Sequence, residues 1–166
     1  MRILGIDPGT ARMGYGIVDE EGSHLKPIAY GLVSTQTEQP LSQQLVRIYS
    51  QLNALMDEYQ PEAMAIEELF FNKNVTTAIA VGQARGIALL VAAQRELEIF
   101  EFNPMQVKLT LTGQGRAQKE QVSFMTCRLL GLHELPEPDD VTDALAIAIS
   151  GLHQRTAAKW MGAANR

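Results

Sequence analysis

Acidic residues that end two short apolar segments are the first candidates for chemistry in this sequence. Asp7 ends the run 2–7 and is followed directly by Pro8-Gly9, and Glu67 ends the run 62–67. A strand in a protein core seldom carries an unpaired carboxylate. If the two strands are neighbours, both carboxylates lie at one end of the sheet, each on the face that it shares with alternate residues of its strand.

A third acidic group opens the last predicted helix. Asp140 and Asp143 are three residues apart and share a helical face, and the almost wholly apolar run 144–149 predicts that this helix packs on the sheet. Four carboxylates gathered this closely raise one another's pKa values unless cations neutralise them. Mg²⁺ or Mn²⁺ does so with oxygen ligands. Two such ions, about 3.5–4 Å apart, can clamp the attacking and leaving oxygens of a phosphodiester displacement.

Each acidic signal taken alone also has a simpler explanation. A helix start favours a capping aspartate, and Asp139 is the candidate for that role. Glu67 or Glu68 alone suits a solvated strand end, and the segment 7–9 alone suits an Asx turn. The conjunction of the three signals is what favours a metal site.

Hydrophobic periodicity and turn residues predict the elements that would position these side chains. The predicted strands are 2–7, 14–19, 25–35, 62–67 and 98–102, and the predicted helices lie at 41–60, 74–97, 105–111, 117–130 and 140–153. Three antiparallel strands followed by helix-linked strands predict an α/β fold with a mixed five-stranded sheet flanked by helices. We expect a single domain over residues 1–156 and a mobile tail at 157–166, where no periodicity continues.

Composition favours a globular protein of a reducing compartment. The 166 residues are 46% hydrophobic and 20% charged, and Cys127 is the single cysteine, which excludes a disulfide framework. No unbroken apolar run reaches the about 20 residues of a membrane span, and the first residues lack a signal-peptide pattern. We therefore expect a cytoplasmic protein without a membrane partner. The net charge of −5 is compatible with DNA binding only if the cations gather on one face.

Several separated blocks resemble the RuvC family of Holliday junction resolvases. They are Ile6-Asp7-Pro8-Gly9, Ala65-Ile66-Glu67, Lys73-Asn74 through Gly82-Gln83-Ala84-Arg85-Gly86, Gln106-Val107-Lys108, and Asp140-x-x-Asp143 with the run 144–148. The resemblance covers the chain from Arg2 to about His153. It implies a ribonuclease H-like fold and a homodimeric endonuclease that resolves four-way DNA junctions by paired symmetric nicks in recombination and repair. It also implies the branch-migration proteins RuvA and RuvB as partners.

The same resemblance assigns the metal site. It implies that Asp7, Glu67, Asp140 and Asp143 are catalytic carboxylates that bind two Mg²⁺ or Mn²⁺ ions per subunit. It selects Glu67 over Glu68 and Asp140 over Asp139, choices that spacing alone supports only weakly.

The expected DNA-binding residues lie in and around two loops and on the long helix. Phe70 and Phe71 follow the fourth strand, where an exposed ring can stack on an unpaired base for about 1–3 kcal/mol, or where Phe71 can plug the edge of the core. By resemblance Phe70 is the stacking residue. Three further residues surround the flexible segment 113–115: Lys108, Arg116 and Lys119.

Surface lysines are usually only solvated, but a lysine near the scissile group can stabilise developing negative charge. For Lys108 and Lys119 the resemblance favours a functional role over simple solvation, and Lys119 is a catalytic candidate. Arg116, Lys73 and Arg85 are candidates for backbone contacts. Gly82 and Gly86 lie four residues apart on the long helix, which allows close helix packing, and the family places the dimer interface near this helix.

Two other classes of protein share single features with this chain. The turn Asp7-Pro8-Gly9-Thr10 resembles the phosphate-binding turn of actin-like ATPases and sugar kinases, but the chain is short for that class and lacks a second glycine-rich phosphate turn. A ribonuclease H-like nuclease acting on RNA or on ordinary DNA ends would carry the same carboxylates. A binding-only homologue is disfavoured because all four acidic positions are filled.

Overall fold

The computed structural model describes residues 1–69 and 75–164. The strands are β1 (Arg2–Asp7), β2 (Arg12–Glu21), β3 (His24–Ser34), β4 (Ala63–Glu67) and β5 (Glu98–Phe102). The helices are α1 (Leu41–Tyr59), α2 (Val75–Gln94), α3 (Pro104–Thr112), α4 (Lys119–Leu130) and α5 (Asp139–Ala164). The order of elements along the chain is the predicted one.

The strands form one mixed sheet in the order β3-β2-β1-β4-β5. The first three strands are antiparallel, whereas β4 pairs in parallel with both β1 and β5. The predicted mixed five-stranded sheet is thus confirmed. The strands that end in Asp7 and Glu67 are also neighbours, as the predicted convergence of these two carboxylates requires. Ile6 pairs with Ile66, so Asp7 and Glu67 end neighbouring strands at the same edge.

Each face of the sheet is covered by its own helices. Ile3 and Ala65 belong to the core formed with α3, α4 and α5. Leu4 and Met64 point the other way, into the core formed with α1 and α2. Because side chains alternate along a strand, Asp7 and Glu67 lie on the α5 face.

Glycines in β1 and β2 allow α5 to lie unusually close to the sheet. A Cβ added at Gly5 would lie 2.1 Å from the Ala144 carbonyl oxygen, and one added at Gly14 would lie 1.9 Å from the Asp140 carbonyl oxygen. Gly14 pairs with Asp7 across the β1–β2 ladder. The missing side chains therefore bring the first turn of α5 directly over the end of β1.

Helix α5 differs from its predicted bounds at both ends. It begins at Asp139, so Asp139 is the first helical residue and not the residue before the helix. At the other end it continues to Ala164, beyond the predicted helix end at residue 153. Alanine favours the helix even without an amphipathic pattern. Arg155, which pairs with Glu98 at 3.2 Å, fixes the helix to the sheet just past that point.

Helix α2 is rich in apolar residues, and two large ones, Ile79 and Leu90, are exposed. Among the described residues it is the one helix that could cross a membrane by length and composition alone, over Thr76–Gln94, and only 22% of that segment is buried. In the sequence this helix is not an unbroken apolar run, because glycine, glutamine and Arg85 interrupt it.

Candidate active site

A tight turn directly after Asp7 starts the site. Thr35 donates its hydroxyl to the Thr10 carbonyl at 2.7 Å, and its backbone N–H donates to the Ala11 carbonyl at 3.0 Å. A Cβ at Gly9 would lie 1.9 Å from the Arg12 carbonyl oxygen, so this turn requires glycine. The turn fixes the chain on the sheet edge where Asp7 lies.

The first turn of α5 brings its own carboxylates to that edge. Thr142 donates its hydroxyl to the Pro136 carbonyl at 2.8 Å, which ties the helix start to the preceding loop. Lys119, the first residue of α4, lies 3.0 Å from an Asp143 carboxylate oxygen and 3.1 Å from an Asp139 oxygen. Asp140 instead meets Arg12 at 3.4 Å. Each carboxylate of this turn is therefore paired with a side-chain cation.

The carboxylates of the four predicted positions interact electrostatically. Burial raises the pKa of Asp7, and the charges of Glu67, Asp143 and Asp140 raise it further, to about 8, although Lys119 opposes them. Burial and the Asp143 charge raise the pKa of Glu67 to about 7. The pKa of Asp143 is also raised, mainly by burial, against the lowering effect of its hydrogen bond from Lys119. The structure thus brings the four positions together.

A cleft of about 210 Å³ opens beside these groups. Its polar lining consists of Glu67, Asp143, Lys108 and Lys119, and its apolar lining comes from α3, α4 and α5. Asp7 and Asp140 lie outside this lining. A capping box between Asn103 and Gln106 fixes the start of α3, one turn before Lys108. The cleft therefore combines two carboxylates with two ammonium groups, a mixture suited to a phosphate held next to cations.

The donor set fits hard divalent cations in chemistry and in charge. Carboxylate oxygens are the ligands that Mg²⁺ and Mn²⁺ prefer, and buried carboxylates with raised pKa values gain from a nearby positive charge. In the described part of the chain, no group of three or more His, Cys, Asp or Glu side chains is already arranged to hold an ion. Asp140 is paired with Arg12 and Asp143 with Lys119 through one carboxylate oxygen each, so a bound ion would compete with these side-chain cations for the carboxylates.

The structure describes only some of the residues predicted to bind DNA. Lys108 lines the cleft, and Arg116 is exposed in the segment between α3 and α4. Phe70, Phe71 and Lys73 lie outside the described residues.

Arg85 is not placed as a free surface cation. Its side chain is only 17% exposed and forms an ion pair with Glu101, and its Nε–H donates to the Glu67 carbonyl at 2.9 Å. A guanidinium already committed to a carboxylate and a carbonyl is poorly placed to bind a phosphate. The expected backbone contact at Arg85 is therefore not supported by its surroundings.

Arg12 is a site residue that the sequence reasoning missed. It begins β2 and pairs with Asp140, a residue 128 positions later in the chain. The signal was present in the turn 8–11, which reverses the chain and returns it beside Asp7. A cation just after such a turn is expected to lie at the same sheet edge.

Comparisons with known proteins identify relatives of the whole chain. Residues 3–151 match the family model of the crossover junction endodeoxyribonuclease RuvC. RuvC of Desulfitobacterium hafniense is 50% identical over 164 residues, which cover 99% of both chains. RuvC of Alkaliphilus metalliredigens is 54% identical over 153 residues, which cover 92% of this chain and 93% of the relative. The solved structure of Thermus thermophilus RuvC in complex with a Holliday junction substrate has a TM-score of 0.89 and 35% identity, covering 95% of this chain and 96% of that one.

The sheet order and the acidic edge, together with the structural match, define a nuclease of the ribonuclease H-like class. The chain belongs to the RuvC family of crossover junction endodeoxyribonucleases. This membership confirms the family resemblance noted in the sequence. The nucleases of this family depend on metal ions.

The raised pKa values predict how pH affects the metal-free protein. Asp7 and Glu67 bind protons more tightly when folded, so they destabilise the folded state progressively as pH rises from about 4 through about 8. The free energy of unfolding in EDTA should fall over this range, and Asp7→Asn should remove part of the fall. One pKa unit corresponds to about 1.4 kcal/mol. At pH 8.5 the free energy of unfolding of Asp7→Asn should therefore exceed that of the wild type by on the order of 1 kcal/mol or more.

Urea unfolding at several pH values between 5 and 8.5 measures this effect. Asp57→Asn is the matched control, because Asp57 lies on α1 with an exposed side chain. A wild-type stability that is flat or rising toward pH 8.5 in EDTA, or an Asp7→Asn profile parallel to the wild type, would show that the Asp7 pKa is not raised in the folded protein.

Proposed function

We propose that this protein is a structure-selective endonuclease that resolves four-way (Holliday) DNA junctions by paired symmetric nicks, in recombination and DNA repair. The observation that carries the proposal is the convergence of Asp7, Glu67, Asp140 and Asp143 at one sheet edge. The proposal is supported by family membership and by the similarity to T. thermophilus RuvC in complex with a Holliday junction substrate.

We propose that the four carboxylates hold two Mg²⁺ or Mn²⁺ ions per subunit, with Asp7 as the shared ligand. Asp7 is the natural choice because its pKa responds to all three other carboxylates. When bound, such ions lower the pKa of water and stabilise the oxygens of a phosphodiester displacement. They would serve a displacement in which water is the nucleophile and the 3′-oxygen is the leaving group.

Lys119 has the clearest role among the cations. It pairs with Asp143 and Asp139, and it lines the cleft together with Glu67. Burial lowers its pKa, but hydrogen bonds to Asp143 and Asp139 outweigh burial and raise it, so the amine stays protonated. From the cleft lining, the Lys119 ammonium could stabilise negative charge on the scissile phosphate.

The remaining DNA contacts follow from position and family. Lys108 lines the same cleft, and the exposed Arg116 lies on the segment that leads to Lys119, so both are proposed to contact the DNA backbone. Phe70 is proposed to stack on a base at the junction, with Phe71 and Lys73 beside it. Two divalent ions would also offset four of the five net negative charges of the chain, which removes most of the electrostatic objection to DNA binding.

Helix α2 supports a homodimer. Its exposed stripe Ile79, Gln83, Gly86 and Leu90 has the 4-3-4 spacing of a helix packing seam. Ile79 and Leu90 are 55% and 46% exposed, and a Cβ added at Gly86 meets nothing within 4 Å. Arg85 is the single charged residue from Thr76 to Gln94, and it lies on a different face of α2 from this stripe. A two-fold partner covering this stripe gives two equivalent active sites, as two symmetric nicks require.

Family membership supports two further proposals. The protein works with the RuvA and RuvB branch-migration proteins, and it acts in the cytoplasm.

Cleavage of a synthetic mobile four-way junction tests the proposed activity. With Mg²⁺ or Mn²⁺, we expect symmetric nicks at the junction and no cutting of linear duplex or of an RNA–DNA hybrid. Asp7→Asn should abolish the nicks, because the shared metal ligand is lost, while junction binding in a gel-shift assay remains. Asp57→Asn is again the control and should cut normally. Cleavage that survives in Asp7→Asn would overturn the metal-site assignment, and cutting of the linear or hybrid substrate would overturn the substrate.

The dimer is tested by Leu90→Glu, which places a charge in the exposed stripe of α2. We expect light scattering after size-exclusion chromatography to report a dimer for the wild type and a monomer for the variant. Leu135→Glu is the matched control, because Leu135 is similarly exposed but lies in the loop before α5, and it should stay dimeric. A wild-type monomer, or a dimeric Leu90→Glu variant, would contradict the α2 interface.

A further inference from the structure

The end of β4 is held by contacts that lie on the side of the sheet away from the cleft. Glu67 is one residue past the last pair of the β1–β4 ladder, Ile6 with Ile66, and the chain leaves the sheet soon afterwards. At this point Arg85 of α2 donates its Nε–H to the Glu67 main-chain carbonyl at 2.9 Å. A side chain from a helix thus supplies a main-chain hydrogen bond where the strand ends.

The Arg85 guanidinium is itself fixed by Glu101 of β5. Glu101 is the register partner of Ile66, so it shares the face that α1 and α2 cover. The Glu67 side chain points to the opposite face, toward α5 and the cleft. Arg85 therefore contacts the residue that carries the carboxylate but lies on the other side of the sheet from the cleft.

We propose that Arg85 is a positioning residue, which fixes the Glu67 carboxylate by holding its main chain between α2 and β5. The proposal rests on the proposed function of Glu67 as a metal-binding catalytic carboxylate. It replaces the expected role of Arg85 as a DNA-backbone contact.

Neighbouring contacts extend the same attachment along the chain. The Glu68 N–H donates to the Phe102 carbonyl at 2.8 Å. The Leu69 side chain packs on α2 at Gly82, where an added Cβ would lie 3.4 Å from Leu69 Cδ1. Residues 67, 68 and 69 are thus anchored in turn by α2, β5 and α2. Such anchoring matters because a displacement of about 1 Å at a catalytic group can lower a rate about 100-fold.

Arginine is required for this role by geometry and not by charge alone. The planar guanidinium presents donors in several fixed directions, so it can bind a carbonyl and a carboxylate at once. A lysine keeps the positive charge that a phosphate contact needs, but it is a flexible point charge without the Nε donor. Arg85→Lys therefore separates a positioning role from DNA binding.

Arg85→Lys and Glu101→Gln test the proposal in the full-length protein. We expect both variants to bind the four-way junction with unchanged affinity and to cut it about 10–100-fold more slowly in single turnover at saturating enzyme. Arg95→Lys is the matched control, since Arg95 ties the end of the same helix to α1 through Asp57 at 2.8 Å and Asn53 at 2.9 Å, far along α2 from Arg85. It should cut at the wild-type rate.

Hydrogen exchange provides a readout that does not depend on nuclease activity. The Glu68 amide should exchange at least several-fold faster in Arg85→Lys and in Glu101→Gln than in the wild type, and at the wild-type rate in Arg95→Lys. If Arg85 contacts DNA, Arg85→Leu will weaken junction binding, Arg85→Lys will cut normally, and Glu68 exchange will not change. That pattern overturns the proposal. If the wild type cuts no junction, the exchange result still decides whether Arg85 holds the strand end, and only the proposed function fails.

Discussion

Helix α5 can carry charge into the active site because the sheet beneath it lacks side chains at the points of contact. Gly5 and Gly14 leave room for the helix backbone at distances that no Cβ tolerates. The first turn of the helix then lies over the ends of β1 and β4, where the alternation of strand side chains has already aimed Asp7 and Glu67. Without this close approach, Asp140 and Asp143 would lie a side-chain layer farther from Asp7.

Gathering these carboxylates has an electrostatic cost, and the surrounding side chains show how the metal-free protein offsets it. Asp7 and Glu67 have pKa values raised to about 8 and about 7, which marks them as groups whose charge the protein alone does not stabilise. Lys119 and Arg12 neutralise the carboxylates of α5. In the metal-free protein the carboxylates therefore repel one another, and the described residues contain no preformed set of three or more metal ligands. Divalent cations would relieve the repulsion that the fold creates.

The sequence predicted the parts of this arrangement that depend on local patterns. Strand ends and side-chain alternation place Asp7 and Glu67 each at the end and on one face of its strand, but only the β1–β4 pairing shows that the two strands are neighbours. The length of α5 was underestimated, because its last turns continue without amphipathic spacing. The placement of Arg85 could not be predicted, since its partners Glu67 and Glu101 come from two strands that only the folded sheet brings together. Phe70, Phe71 and Lys73 lie outside the described residues, so their roles still rest on the family resemblance.

The central claim is that Asp7, Glu67, Asp140 and Asp143 together form a binding site for two divalent ions. Anomalous diffraction at the manganese edge, from crystals of the wild-type protein grown in Mn²⁺, tests it most directly. We expect two manganese peaks at the end of β1, both touching Asp7, with Arg12 and Lys119 displaced from the α5 carboxylates. An absence of peaks at saturating Mn²⁺, or peaks that do not involve Asp7, would contradict it.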